Sequence, residues 1–121
     1  MNSREKGARG ERELARFLRD YGYDAFRSQQ YCGLSGDADV TGVPYLHVEC
    51  KRVEQLNVEK ALLQAERDHK RNTIPTVMHR RNNESWKVTL RLKDFMEIWN
   101  AIPEYKRLEV AQIISEKDGL K

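Results

Sequence analysis

Apolar positions along the chain change period several times, and each change predicts an element. Over residues 3–21, Leu14, Ala15, Phe17, Leu18 and Tyr21 form one helical stripe, with Ser3 suited to the N-cap and Gly22 to the position after the last turn. Gly7 and Gly10 each cost such a helix about 1 kcal/mol relative to Ala. Either the regular helix starts later, or its backbone approaches something closely. Residues 23–28 alternate and predict a strand with Tyr23, Ala25 and Arg27 on one face. Residues 29–36 are polar and rich in Gly and Ser, and predict a mobile loop. Two strand-like runs follow, 38–41 and 45–51, joined by Gly42-Val43-Pro44 as a hairpin turn.

Helical spacing returns over residues 57–71, with Val58, Ala61, Leu62 and Ala65 inward, Asn57 as N-cap, Glu59 in the first turn and Gln64 at the edge of the face. Residues 76–80 and 86–92 predict two more strands around a turn at 82–85. Asp94 is suited to cap a short helix over 95–101 with Phe95, Ile98 and Trp99 inward, and Pro103 interrupts it. A last helix over about 104–117 has only a weak stripe of Tyr105, Leu108, Ala111 and Ile114. The order α-β-β-β-α-β-β-α, with a possible further helix, predicts an α/β (α+β) fold: a central mixed sheet flanked by helices. With 121 residues, one domain is expected, with a core over about 4–101 and a helical extension over about 103–121.

Alternation gives the second hairpin strand its chemistry. Tyr45, His47, Glu49 and Lys51 share one face, and Leu46, Val48 and Cys50 share the other, which should meet the core. Glu49 and Lys51 then lie roughly 6–7 Å apart along the strand. Asp39 on the partner strand reaches the same place if the register allows. An Asp, a Glu and a Lys gathered at one hairpin suit a Mg²⁺-dependent phosphodiesterase. On the first helix Glu11 falls near the centre of the apolar stripe, with Arg12 and Arg16 opposite and Glu13 off-centre. A carboxylate turned inward needs a metal, a cation or a hydrogen-bond network. The plainer alternatives are a Glu11 exposed at a helix end and a surface salt-bridge network around Glu49 and Lys51.

Composition narrows the class. No apolar run approaches the roughly 18 residues that span a membrane, and residues 1–6 have no secretory apolar segment, so a soluble cytoplasmic protein is expected. Cys32 and Cys50 form neither a disulfide framework nor a paired zinc motif, and strand parity sends Cys50 away from His47, which disfavours a zinc site. Net charge is only +3, but seven basic residues stand against one acid between Lys70 and Lys93. Such a surface suits a phosphate backbone, or is simply the solvated face of a basic protein.

Three spaced pieces carry a resemblance: Lys6-Gly7 with Glu11-Arg12-Glu13-Leu14, then Gly36-Asp37-Ala38-Asp39-Val40-Thr41-Gly42, then Val48-Glu49-Cys50-Lys51. Together they resemble the PD-(D/E)XK nuclease superfamily, most closely the archaeal Holliday-junction resolvases and their phage relatives, over about residues 4–95. The resemblance implies a restriction-endonuclease-like core and a catalytic set of Glu11, Asp39, Glu49 and Lys51, with Asp37 the alternative to Asp39. It implies Mg²⁺, with Mn²⁺ as a substitute, held by Asp39, Glu49, the Cys50 backbone carbonyl and Glu11. It further implies a homodimer acting on branched DNA. Arg27 matches a basic residue of that family, and Gln64 resembles a glutamine of some members. With Lys6, Arg9, Ser28, Gln29, Lys70, Arg71, Arg80 and Arg81, these two complete the residues expected to touch nucleic acid. Other readings are a nuclease with a different DNA target, such as a nickase or restriction-type enzyme, and a non-catalytic nucleic-acid-binding module.

Overall fold

The computed structural model describes residues 3–28 and 38–117. They fall into two compact units, one up to Leu90 and one from Arg91. The first unit contains α1 (Ser3–Arg19), β1 (Phe26–Arg27), β2 (Val40–Thr41), β3 (Leu46–Lys51), α2 (Val58–Asp68), β4 (Ile74–His79) and β5 (Lys87–Thr89). Its five strands form one sheet in sequence order. β3 and β4 run parallel, joined through α2, and every other neighbouring pair is antiparallel. This is the expected mixed α+β sheet with helices against it.

Two apolar layers hold it. On one side, Leu14 and Ala15 of α1 pack with Ala25, Val40, Val48 and Cys50. On the other, Ala61, Leu62 and Ala65 of α2 pack with Val77. Glu49 is in register with Val77, so it shares the α2 face of the sheet. β3 is therefore buried on both faces: His47 and Glu49 are only 3% and 1% exposed. A parallel crossover lays its helix over the face that an isolated hairpin would leave in water.

The capping expectations agree with the structure at two places. Asn57 accepts the Lys60 N–H at 3.0 Å, and Gly22 takes a positive φ of 94°. Gly10 explains its own presence: a Cβ there would sit 2.5 Å from Arg52 Cβ, so α1 and the chain leaving β3 meet at a glycine. Gly7 has open space around it. In the hairpin turn, Gly42 has φ 106° and lies against the Asp24 carbonyl, where a Cβ would collide at 2.1 Å.

Several boundaries move. β1, β2 and β5 are shorter than the alternating runs that predict them. β4 starts earlier and includes Pro75, which is tolerated because the β5 partners begin only at Val77. The expected loop at 29–36, with Gln29 and Cys32, and Asp37 lie outside the described residues.

The second unit holds α3 (Leu92–Ala101) and α4 (Glu104–Lys117). α3 starts earlier than expected, so Asp94 sits in its first turn and Arg91 takes the cap position without a side-chain bond. Within the unit, Phe95 stacks on Trp99 at 6.1 Å, and Arg107 Nε donates to the Trp99 carbonyl at 3.1 Å. Neither helix contains a buried residue, and Tyr105, Leu108 and Ile114 of the weak stripe are exposed.

Candidate active site

The β2–β3 register brings two acids together. Val40 pairs with Val48 in an antiparallel bridge, and Asp39, the residue just before β2, lies beside Glu49. The Asp39 N–H donates to the Val48 carbonyl at 2.9 Å, and the Asp39 carbonyl accepts from Ser28 N at 2.9 Å. Its side chain is fixed as well, with Oδ2 accepting the Cys50 N–H at 2.9 Å. Burial, followed by the nearby Glu49 carboxylate, pushes the Asp39 carboxyl up to about 8, and the two carboxyls are within hydrogen-bonding reach. A pair of desolvated, adjacent carboxyls that cannot both ionise cheaply is a donor set suited to a small hard cation.

Glu11 approaches from α1. Its Oε1 accepts from Arg27 Nε at 2.7 Å. Burial raises its carboxyl above the usual range, against the lowering influence of Arg27, and it also feels the charges of Glu49 and Lys51. Lys51 extends from the end of β3 towards α2, where Nζ donates to Gln64 Oε1 at 3.2 Å. Glu11, Asp39, Glu49 and Lys51 thus stand close enough to perturb one another. Among the described residues, no three His, Cys, Asp or Glu side chains form a ready-made cage for an ion. Magnesium does not require one, since one or two carboxylates suffice with water and phosphate oxygens.

Cys50 belongs to the α1-side core, where burial pushes its thiol up. The other expected contacts separate into groups. Lys6 and Arg9 are exposed on α1 beside a 410 Å³ cavity that Arg52 and Arg80 also line. Arg80 is ion-paired to Glu13, which Arg52 also meets at 3.4 Å. Arg81 pairs with Glu84 at 2.7 Å. Lys70 and Arg71 are exposed beyond α2, and Ser28 is half-buried. Gln64 faces Lys51, an arrangement that a simple DNA contact does not anticipate.

Two partners of the site escape the sequence reading. Glu13, off-centre on the helix, is the acid that gathers Arg52 and Arg80. His47 Nε2 lies 2.8 Å from Glu49 Oε1 inside the fold. The signal for His47 was present, since it shares Glu49's parity two residues away, but nothing in one strand reveals that a helix buries that face.

The family described as "Phage putative PDDEXK endonuclease" matches residues 2–120. The chain belongs to this endonuclease family. Among solved structures it is similar to Hjc of Archaeoglobus fulgidus, a Holliday junction resolvase from an archaeal hyperthermophile. The identity is 22%, over 70% of this chain and 72% of that one, with a TM-score of 0.51. At that identity the likeness speaks for the fold, a restriction-endonuclease-like core. Among curated proteins none matches. No helix among the described residues of this PDDEXK endonuclease is long and apolar enough to cross a membrane.

Proposed function

We propose that this endonuclease is a Mg²⁺-dependent, structure-specific DNA enzyme that cuts four-way junctions as a homodimer. The observation that carries the reading is the meeting of the Asp39 and Glu49 carboxyls beside the Val40–Val48 bridge, with Lys51 two residues beyond Glu49 on β3. In this reading Asp39, Glu49 and the Cys50 carbonyl hold the ion, and Glu11 orients a second ion or its water. A bound Mg²⁺ supplies charge neutralisation at the phosphoryl oxygens and a more acidic water. Lys51, aimed by Gln64, orients the attacking water or offsets the developing negative charge. Arg27, held by Glu11, Lys6, Arg9, Lys70, Arg71, Arg80 and Arg81 meet the phosphate backbone, contacts that carry no base code and so suit recognition by shape. Branched DNA as the target draws support from the fold neighbour, itself a Holliday junction resolvase. Two symmetric cuts require two sites, which a two-fold dimer supplies.

The test is cleavage of labelled four-way junction, linear duplex and single strands in Mg²⁺ or EDTA, by wild type, Asp39→Asn and Glu49→Ala. The expected outcome is metal-dependent cutting of the junction that drops by at least about a hundredfold in either variant. Cutting of plain duplex at one sequence replaces the junction reading with a restriction-type one. Full activity in both variants, or none in wild type with Mg²⁺, overturns the catalytic assignment.

A further inference from the structure

We propose that His47 is a positioning residue of this nuclease site, acting through Glu49. The inference rests on the reading of Glu49 as a metal ligand. His47 and Glu49 lie two residues apart on the α2 face of β3, and both are almost fully buried. Nε2 of the imidazole is 2.8 Å from Oε1 of the carboxylate. The backbone of His47 is itself fixed, because its carbonyl accepts from Thr76 Oγ1 at 2.8 Å and β3 is held between β2 and β4.

A buried carboxylate has about four lone-pair positions to satisfy and several rotamers among which to choose. With a proton on Nε2, His47 donates to Oε1 and selects one of those rotamers. Asp39 meets the same carboxyl group. Groups that orient a metal ligand in this way tune affinity without touching the ion, and their loss typically costs 10–100-fold in metal affinity or activity. Asp39 also reaches the Glu49 carboxyl but is itself read as a metal ligand, and Lys51 is engaged by Gln64. Arg67 on α2 contributes a positive field but bonds to Asp68. His47 is thus the side chain that holds Glu49 Oε1 from its own strand, without being a candidate metal ligand itself.

The test uses the full chain with Mn²⁺ alone as probe. Free Mn²⁺ is followed by electron paramagnetic resonance during titration of wild type, Glu49→Ala, His47→Leu, His47→Gln and His47→Asn. Circular dichroism confirms that each is folded. The Gln amide carries an N–H at the Nε2 position, whereas the Asn amide falls short of Glu49. The role requires that His47→Leu and His47→Asn weaken Mn²⁺ binding by about 10–100-fold, with His47→Gln within a few-fold of wild type. It also requires that cleavage by the defective variants fall in kcat while KM for DNA stays within about twofold. Should His47→Leu not fold, the contrast between Gln and Asn decides. Equal Mn²⁺ affinity in Asn, Gln and wild type overturns the role, and so does equal loss in Gln and Asn. Wild type that binds Mn²⁺ no better than Glu49→Ala overturns the metal-ligand reading itself, and that result is distinct from the loss of His47's role alone.

Discussion

At the scale of single residues, Asp39 pays a folding cost for its place in the site. Its carboxyl titrates near 3.8 when exposed and is pushed up to about 8 in the fold by burial and by Glu49. Between those values the folded chain keeps a proton that the unfolded chain has released. Stability without metal therefore falls as pH rises through that window. Asp39→Asn keeps an acceptor for the Cys50 N–H and removes the titration. In EDTA the variant should be more stable than wild type at pH 8, by on the order of a few kcal/mol, and the gap should shrink towards pH 4. Thermal unfolding at the two pH values checks this, and parallel melting of the two proteins at both would count against it. The same substitution should abolish cutting, so stability and activity move in opposite directions. Gln64 makes a complementary case. Because it holds Lys51 at 3.2 Å, Gln64→Leu should lower kcat by about tenfold and leave junction binding unchanged. A loss seen instead in binding, measured in Ca²⁺ to suppress cutting, would return Gln64 to the role of a DNA contact.

At the scale of elements, two glycines on α1 have opposite reasons for being tolerated. Gly10→Ala drives a methyl into Arg52 Cβ at 2.5 Å and should destabilise by about 1–3 kcal/mol. Gly7→Ala meets nothing within 4 Å and should stabilise the helix by up to about 1 kcal/mol. Denaturant midpoints of the two variants decide the pair, and equal effects would remove the packing explanation. The sequence alone left open whether Gly10 marks a late helix start or a close approach, because the choice depends on Arg52, 42 residues further along the chain. The same limit applied elsewhere. Helix periods, the Asn57 cap and the strand parity of Glu49 and Lys51 are local and were readable. The meeting of Asp39 with Glu49 needed the three-dimensional placement that the Val40–Val48 bridge provides. The burial of His47 needed the parallel crossover that lays α2 over it. The start of α3 at Leu92 also escaped, because residues 86–92 alternate like a strand although Val88 and Leu92 are exposed.

At the scale of the whole molecule, net charge is a poor guide and pairing is a better one. The stretch from Lys70 to Lys93 has an excess of six positive charges, yet much of it is already engaged. Glu84 receives Arg81 at 2.7 Å and Lys87 at 2.8 Å, and hydrogen bonds from these two cations hold its carboxyl down to about 2. Glu84 is thus charged at every working pH and competes with DNA phosphates for the same two side chains. Removing that charge frees Arg81 and Lys87 without altering Asp39, Glu49 or Lys51. Glu84→Gln should therefore bind a four-way junction several-fold more tightly at low salt. The log–log slope of affinity against KCl should steepen by about one, as one further phosphate contact requires. Fluorescence anisotropy at several KCl concentrations, with Ca²⁺ in place of Mg²⁺, measures both quantities, and Mn²⁺ affinity should stay at the wild-type value. An unchanged affinity and slope would place the DNA path away from the β4–β5 turn, leaving the α1 side with Lys6, Arg9 and Arg27 as the surface that carries the backbone.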